Sequence, residues 1–280
     1  MTTVFTLKST ARLHRGHQIP LLGLGVYQNY DARTSVLQAL EAGYRHIDSA
    51  QAYRNEEAVG QAVAQSSVKR EDIFITSKVK GANQGYQSTL KSVNESLERF
   101  GFDYIDLFLI HDPYPGKVKR LETYKALLEA REEGKIRTVG VSNYGIPHLK
   151  EILGAGFELP AVNQIQLHPF CQQREIVDYC QKNGIIVQAY SPLIQAQKGM
   201  FDHPTITTIA TKHGKDNAQV LIRWTLQKGW VTLPKSANPE RIVSNAAVYD
   251  FELDEKDVAD LDSLDRGDEG SVSWHPVNAP

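Results

Sequence analysis

A chain of 280 residues with 31 basic and 33 acidic side chains, formal net charge −2, offers no charged stripe or tail for nucleic acid or an anionic membrane surface. Its 41% hydrophobic and 23% charged residues are ordinary for a globular protein, and the length suits one large α/β domain without requiring a split. A small-molecule partner, rather than a macromolecule, is therefore expected. The first twenty residues lack the apolar core of a secretion signal, and no stretch approaches the ~20 apolar residues of a membrane span. Cys171 and Cys180 fit neither a disulfide scaffold nor a metal spacing and read as packing residues of a cytoplasmic protein. His14 and His17 flank Gly16 with no third ligand nearby, so no metal is expected.

After a polar hairpin, Leu21 to Val26 is a short apolar run. Its glycines lack the third member of a dinucleotide fingerprint, which argues against a Rossmann domain. Val36, Leu37 and Leu40 have helical spacing, stopped by Gly43. HIDSA is a strand ending at Asp48, and the loop after it carries Tyr53. Asn55, Glu56 and Glu57 open a helix, acidic groups at the positive end of its dipole, with Val59, Ala62 and Val63 as its buried stripe. IFITSKV then ends near Lys78, and DYIDLFLIH follows a helix over Leu90, Val93 and Leu97 and ends at His111.

A helix over Leu121, Tyr124, Leu127 and Leu128 leads to RTVGVSN, ending at Ser142 and Asn143. AVNQIQLH, a helix from 175 to 183, IIVQAYSP, a helix over 218 to 228, and WVTLPKS complete eight strands. Helical segments over 239 to 245 and 254 to 264 precede a polar tail, and residues 194 to 204 form an irregular insertion read as a mobile loop over the barrel mouth. Strands alternating with helices imply parallel pairing, and eight such units in this length favour a closed (β/α)8 TIM barrel. The expectation is one barrel domain over residues 1–280, with an N-terminal β-hairpin and two extra helical segments.

Catalytic groups in such barrels lie where strands end. The endings here are Asp48, Lys78, His111, Ser142 with Asn143, Gln164, Tyr190 with Ser191, and Lys235 with Ser236. Singly, each has a plain alternative: Asp48 as a turn cap, Tyr53 as a loop aromatic, Lys78 as a surface lysine, His111 as a bonded core histidine, Lys235 and Arg241 as a solvated face. Seven polar endings in register carry more weight than any one of them.

DSAQAYRNE, a lysine closing the next strand, DYIDLFLIH, GKIRTVGVSN, NQIQLHP and LPKSANPERI occur in one order. Together they resemble the aldo-keto reductase superfamily over nearly the whole chain, with a leaning toward microbial and fungal members. The resemblance implies NADPH-dependent reduction of aldehydes or ketones by a monomer or weak dimer. It carries the catalytic positions onto Asp48, Tyr53, Lys78 and His111. It places Gly25, Val26, Asp48, Ser142, Asn143, Gln164, Tyr190, Ser191, Leu193, Lys235, Ser236, Asn238, Arg241 and Asn245 along NADPH or NADP+. Tyr27, Tyr53, His111, Tyr114 and Trp274 would face the substrate. Asp112 stands where members often have an aromatic residue, Tyr114 being the candidate to compensate, and Ser244 stands where an acidic one is frequent.

The chemistry has its own logic. Carbonyl reduction needs hydride at carbon and a proton at oxygen, and a phenol is a reluctant acid near its usual pKa of ~10. An ammonium at ~4 Å with effective dielectric ~20 favours the phenolate by up to ~4 kcal/mol, about three pKa units. Lys78 is thus expected to make Tyr53 a usable acid, Asp48 to hold Lys78 charged, and neutral His111 to orient the carbonyl. Two other readings remain: an aldolase with Lys78 as Schiff-base nucleophile, and a non-catalytic NADPH-binding subunit.

Overall fold

The computed structural model describes residues 5–280. A hairpin of β1 (Thr10–Arg12) and β2 (Gln18–Pro20) comes first. Eight parallel strands follow, β3 (Leu24–Gly25), β4 (His46–Asp48), β5 (Phe74–Val79), β6 (Ile105–Ile110), β7 (Ile136–Ser142), β8 (Val162–Gln166), β9 (Ile186–Tyr190) and β10 (Val231–Leu233), each paired with its neighbour in sequence. The sheet closes on itself. Thr232 N–H donates to Leu21 O at 2.8 Å, Gly23 N–H to Thr232 O at 2.9 Å, and Gly25 N–H to Pro234 O at 3.0 Å. The expected (β/α)8 barrel is therefore present, with its hairpin across the end where the strands begin, Arg15 pairing there with Glu132.

The central strands β5 and β6 are buried along their whole length, as strands covered on both faces must be. Helices return the chain between them: α1 (Ala32–Glu41), α2 (Glu56–Gln65), α3 (Tyr86–Phe100), α4 (Lys117–Glu132), α5 (Ile146–Gly154) and α6 (Arg174–Lys182). A pair, α7 (Pro204–His213) and α8 (Asn217–Gln227), spans β9 to β10, and α9 (Pro239–Ala246) and α10 (Glu255–Asp262) end the fold. Two helices thus exceed one per strand, as expected, but α7 is one of them and α9 is the eighth crossover-type helix. The insertion before α7 is anchored at two points, with Ile194 and Met200 buried and Phe201 O accepting from Asn217 Nδ2 at 3.0 Å, while residues 195–199 between them are exposed.

Alpha2 and α3 approach so closely that a Cβ on Gly60 would fall 2.0 Å from the backbone oxygen of Phe100. Backbone cannot yield as a side-chain tip can, so Gly60→Ala is expected to force the helices apart and destabilise by about 1–3 kcal/mol. Urea denaturation checks this; an unchanged midpoint would refute the close-contact argument. Among the described residues, no helix is long and apolar enough to cross a membrane. Nor, among them, do three or more His, Cys, Asp or Glu side chains cluster to hold a metal.

Candidate active site

The ends of β4, β5 and β6 and the loop after β4 meet at one rim. Strand alternation turns Asp48 and Lys78 into the barrel, where Lys78 is fully buried. Its Nζ donates to Asp48 Oδ1 at 2.5 Å, to Ser49 O at 3.0 Å and to Tyr53 Oη at 3.3 Å. His111 follows β6, its ring 5.7 Å from that of Tyr53 and at 75° to it. The four residues expected to act together, three at strand ends and Tyr53 on the loop after β4, are therefore in contact as a chain, His111–Tyr53–Lys78–Asp48.

Backbone geometry holds Tyr53 in place. The chain leaves its short turn through Arg54 in the left-handed region (φ 57°), and Asn55 then ties the loop down. Asn55 Nδ2 donates to Val26 O at 2.8 Å and its Oδ1 accepts from Ser49 Oγ at 2.7 Å. Asn55 stands at the N-cap position of α2, as its place at the helix start implies, but its side chain makes no capping bond because both ends serve this loop.

Burial sets the protonation states. It pushes the Lys78 ammonium down, against Asp48 and Glu56, which favour the charge. It pushes His111 down to about 3, with Lys78 acting the same way, so the imidazole is neutral and can donate one hydrogen bond. Tyr53 moves opposite to expectation: burial, then Asp48 and Tyr27, hold its phenol well above 10. Lys78 does contact the hydroxyl, yet desolvation of the phenolate and the nearby carboxylate outweigh it. Tyr53 is accordingly held as a proton-loaded donor.

Beneath the four, Asp48 Oδ2 accepts from Gln164 Nε2 at 2.8 Å, and the same nitrogen donates to Gln188 Oε1 at 2.8 Å. Ser142 Oγ donates to Gln164 O at 2.8 Å. Asn143, at φ 62°, donates from Nδ2 to His111 O at 3.0 Å and accepts from Tyr190 Oη at 2.9 Å. The strand-end polar residues of β7, β8 and β9 are thus one network with Asp48, Lys78, Tyr53 and His111. Gln188 and this network's reach across β9 carry no sequence signal beyond a polar residue in an apolar strand.

The berth expected for a dinucleotide lies at the seam of the barrel. A Cβ on Gly25 would meet Leu233 O at 3.3 Å and Lys235 Cβ at 3.8 Å, so the end of β3 sits against the segment after β10. Lys235, Asn238 and Arg241 are exposed there, while Ser236 and Asn245 are buried. Asn238 Oδ1 caps α9 by accepting from Arg241 N–H at 3.0 Å, and Ser236 Oγ accepts from Asn238 N–H at 3.1 Å. Lys235 shortly before α9 and Arg241 in its first turn are both exposed, and two cations beside a helix start are a donor set suited to a phosphate monoester. Val26 is buried, and Ser191 (φ 51°) and Leu193 are half-buried on the loop after β9.

Aromatic side chains form the rim. Tyr27 lies 5.1 Å from Tyr53, Trp274 5.9 Å from His111 and Tyr114 5.7 Å from Trp274, ring to ring. All three outer rings are exposed. Asp112 does not replace the missing aromatic directly. Its buried carboxyl accepts from Tyr114 N–H at 3.1 Å, fixing the turn that carries Tyr114 to the rim, and burial raises its pKa. Trp274 is braced from behind: Ser273 Oγ donates to Gln166 Oε1 at 2.5 Å, and Arg120 Nη1 bonds both Pro113 O (2.7 Å) and Pro280 O (2.8 Å). Cys171 and Cys180 are buried, their thiols raised by desolvation to about 12 and about 11, consistent with packing.

Comparison with known proteins follows the same lines. A family model described as "Aldo/keto reductase family" matches residues 21–266. The chain is 46% identical to a glyoxal reductase of Bacillus subtilis over 264 residues, 93% of this chain and 94% of that protein. Among solved structures it is similar to an aldo-keto reductase from a Medee basin deep-sea metagenome library, with TM-score 0.93, 41% identity, 97% of this chain and 100% of that one. It is also similar to a Bombyx mori aldo-keto reductase in complex with NADP, with TM-score 0.87, 34% identity and 94% of each chain.

Proposed function

The chain belongs to the aldo/keto reductase family, and from that premise we propose that it reduces aldehydes or ketones to alcohols with NADPH, Tyr53 supplying the proton. The observation that carries the reading is Lys78 Nζ lying between Asp48 Oδ1 (2.5 Å) and Tyr53 Oη (3.3 Å) in a buried setting. When bound, the reduced nicotinamide supplies hydride to the carbonyl carbon.

The chain's own residues do the rest. Neutral His111 donates a hydrogen bond to the substrate oxygen and orients it, in the manner of an oxyanion site. Tyr53 then gives up its proton as that oxygen gains alkoxide character, a base strong enough to take it even from a phenol held above 10. Lys78 steadies the resulting phenolate, and Asp48 keeps Lys78 charged, since an isolated buried ammonium carries a heavy desolvation penalty. All three hydrogen bonds of Lys78 Nζ run to acceptors or to the phenol, an environment for an ammonium rather than for the free amine of a Schiff-base aldolase.

For the cofactor, Gln164, Ser142 and Asn143 would meet the carboxamide, a role their shared hydrogen-bond network supports, and Tyr190 would lie against the nicotinamide ring. Lys235 and Arg241 would hold the adenosine 2′-phosphate, with Ser236, Asn238 and Asn245 shaping the pocket. The relative bound to NADP supports that choice, and the glyoxal reductase relative supports small carbonyl compounds as a first substrate panel. Replacing Lys235 and Arg241 together by alanine is expected to raise KM for NADPH about 10–100-fold, as for lost charge-assisted bonds, while KM for NADH hardly moves. Equal losses for both cofactors would remove the 2′-phosphate assignment. The reading as a whole is tested by turnover of a carbonyl panel with each cofactor; NADPH binding without turnover on any member would overturn it.

A further inference from the structure

Glu56 plays no part in the chemistry above, yet it lies directly behind it. Ser77 and Lys78 are consecutive on β5, so their side chains leave on opposite faces: Lys78 enters the barrel and Ser77 faces the helices. Ser77 Oγ donates to Glu56 Oε1 at 2.5 Å. Glu56 Oε2 is held by Arg99 of α3, through Nε and Nη2, both at 2.7 Å. Glu56 opens α2 three residues after Tyr53, and its side chain is 1% exposed.

A carboxylate so buried carries a desolvation penalty that glutamine or an apolar residue would avoid. Its placement has two consequences. The exit of the Tyr53 loop is bolted to β5 through Ser77, complementing the Asn55 anchor to Ser49 and Val26. In addition, two carboxylates favour the charged Lys78: Asp48, bonded to it inside the barrel, and Glu56, acting from behind β5. The other titratable groups around it are the Tyr53 phenol and the neutral His46 and His111.

We propose that Glu56 is a positioning residue of the reductase, joining the Tyr53 loop to β5 and supplying the second negative charge that keeps Lys78 an ammonium. The inference rests on the Tyr53–Lys78 reading for its link to turnover, but not for its effect on Lys78 itself. Burial already lowers Lys78 and Glu56 opposes this, so removing the charge lowers Lys78 further. The alkaline limit of reduction then comes at lower pH.

The test is an NMR titration of the Lys78 side chain in the intact protein, alongside the pH profile of kcat for carbonyl reduction. In Glu56→Gln the Lys78 midpoint is expected to fall by on the order of one pH unit, and the alkaline limb of kcat to fall with it. Glu56→Asp keeps the charge but shortens the reach to Ser77: the midpoint stays near that of the parent, while kcat drops evenly across pH. Arg99→Gln, at a half-exposed site, leaves the carboxylate without its cation and is expected to move the midpoint up. Unchanged midpoints in Glu56→Gln and Arg99→Gln would overturn the inference, and Arg99→Gln decides alone should Glu56→Gln not fold. A midpoint that shifts without the kcat limb following upholds the charge role of Glu56 and instead removes the reading of Lys78 in turnover.

Discussion

Tyr53→Phe is expected to lower kcat for carbonyl reduction by about 10²–10⁴-fold, the range general-acid catalysis contributes, with NADPH affinity retained. The ring still fills its place beside Tyr27 and His111, so the pocket keeps its shape and only the hydroxyl 3.3 Å from Lys78 Nζ is lost. Neutral His111 has a proton to share but is placed to orient the oxygen, and Lys78 reaches the substrate only through Tyr53. Single-turnover rates with NADPH in excess, paired with fluorescence titration of the cofactor, separate chemistry from binding. A variant whose rate stays within about tenfold of the parent would take the proton-donor role from Tyr53.

Acid is expected to destabilise the fold steeply through its buried histidines, above the pH range in which ordinary carboxylates titrate. Burial lowers His46 to about 4 and His168 to about 3 from the usual 6.5. At His46, between Pro20 O (3.3 Å) and Thr76 Oγ1 (3.1 Å), burial outweighs the help that Asp48 and Pro20 O give the charged ring, and at His168 the amide Nε2 of Gln166, 3.1 Å from Nε2, donates to the neutral ring. The unfolded chain binds these protons below pH 6.5 and the folded chain does not, so stability is full above pH 6.5 and is lost as pH falls toward the folded values. Each group contributes about 1.4 kcal/mol per pH unit in that window, giving roughly 4 kcal/mol from the pair between pH 6.5 and pH 5. His111, also held low but partly open at the barrel mouth, adds a smaller share. Urea unfolding at pH 7 and pH 5 measures this directly, and His46→Gln is expected to flatten the slope. A difference below about 1 kcal/mol would mean that these rings take up protons in the folded state.

Much of the barrel and the meeting of Asp48, Tyr53, Lys78 and His111 at one rim can be read from residue order alone. Asp48, Lys78 and His111 are conspicuous because each interrupts or ends an apolar run, and the period of those runs sets the rim on which they meet. What escapes such reading depends on contacts between distant segments. Helix α7 carries the run TITTIAT, whose β-branched residues have weak helical preference, and packing overrides that preference. Glu56 and Glu57 are equivalent as charges at a helix start, yet one is buried against Ser77 and Arg99 while the other is exposed. The tail over residues 271–280 has no period at all; Gln166, Arg120 and His148, which hold it, lie on other elements. The Tyr53 phenol is the instructive miss, since a neighbouring lysine is visible in sequence and the dryness of the pocket is not.

The seam that closes the barrel has a consequence for how the protein is made. Leu21 to Gly25 pair with Thr232 and Pro234, nearly a chain length away, and contacts of such separation form slowly because a long loop must be closed first. The Tyr53 loop hangs from Val26, at that same seam. During synthesis the Tyr53 segment therefore emerges early, but β3, at whose end it is tied, has one edge unpaired until β10 leaves the ribosome. The half-built barrel presents an open sheet edge throughout that interval, the state most exposed to wrong strand pairing, and catalytic competence arrives only with the last strand.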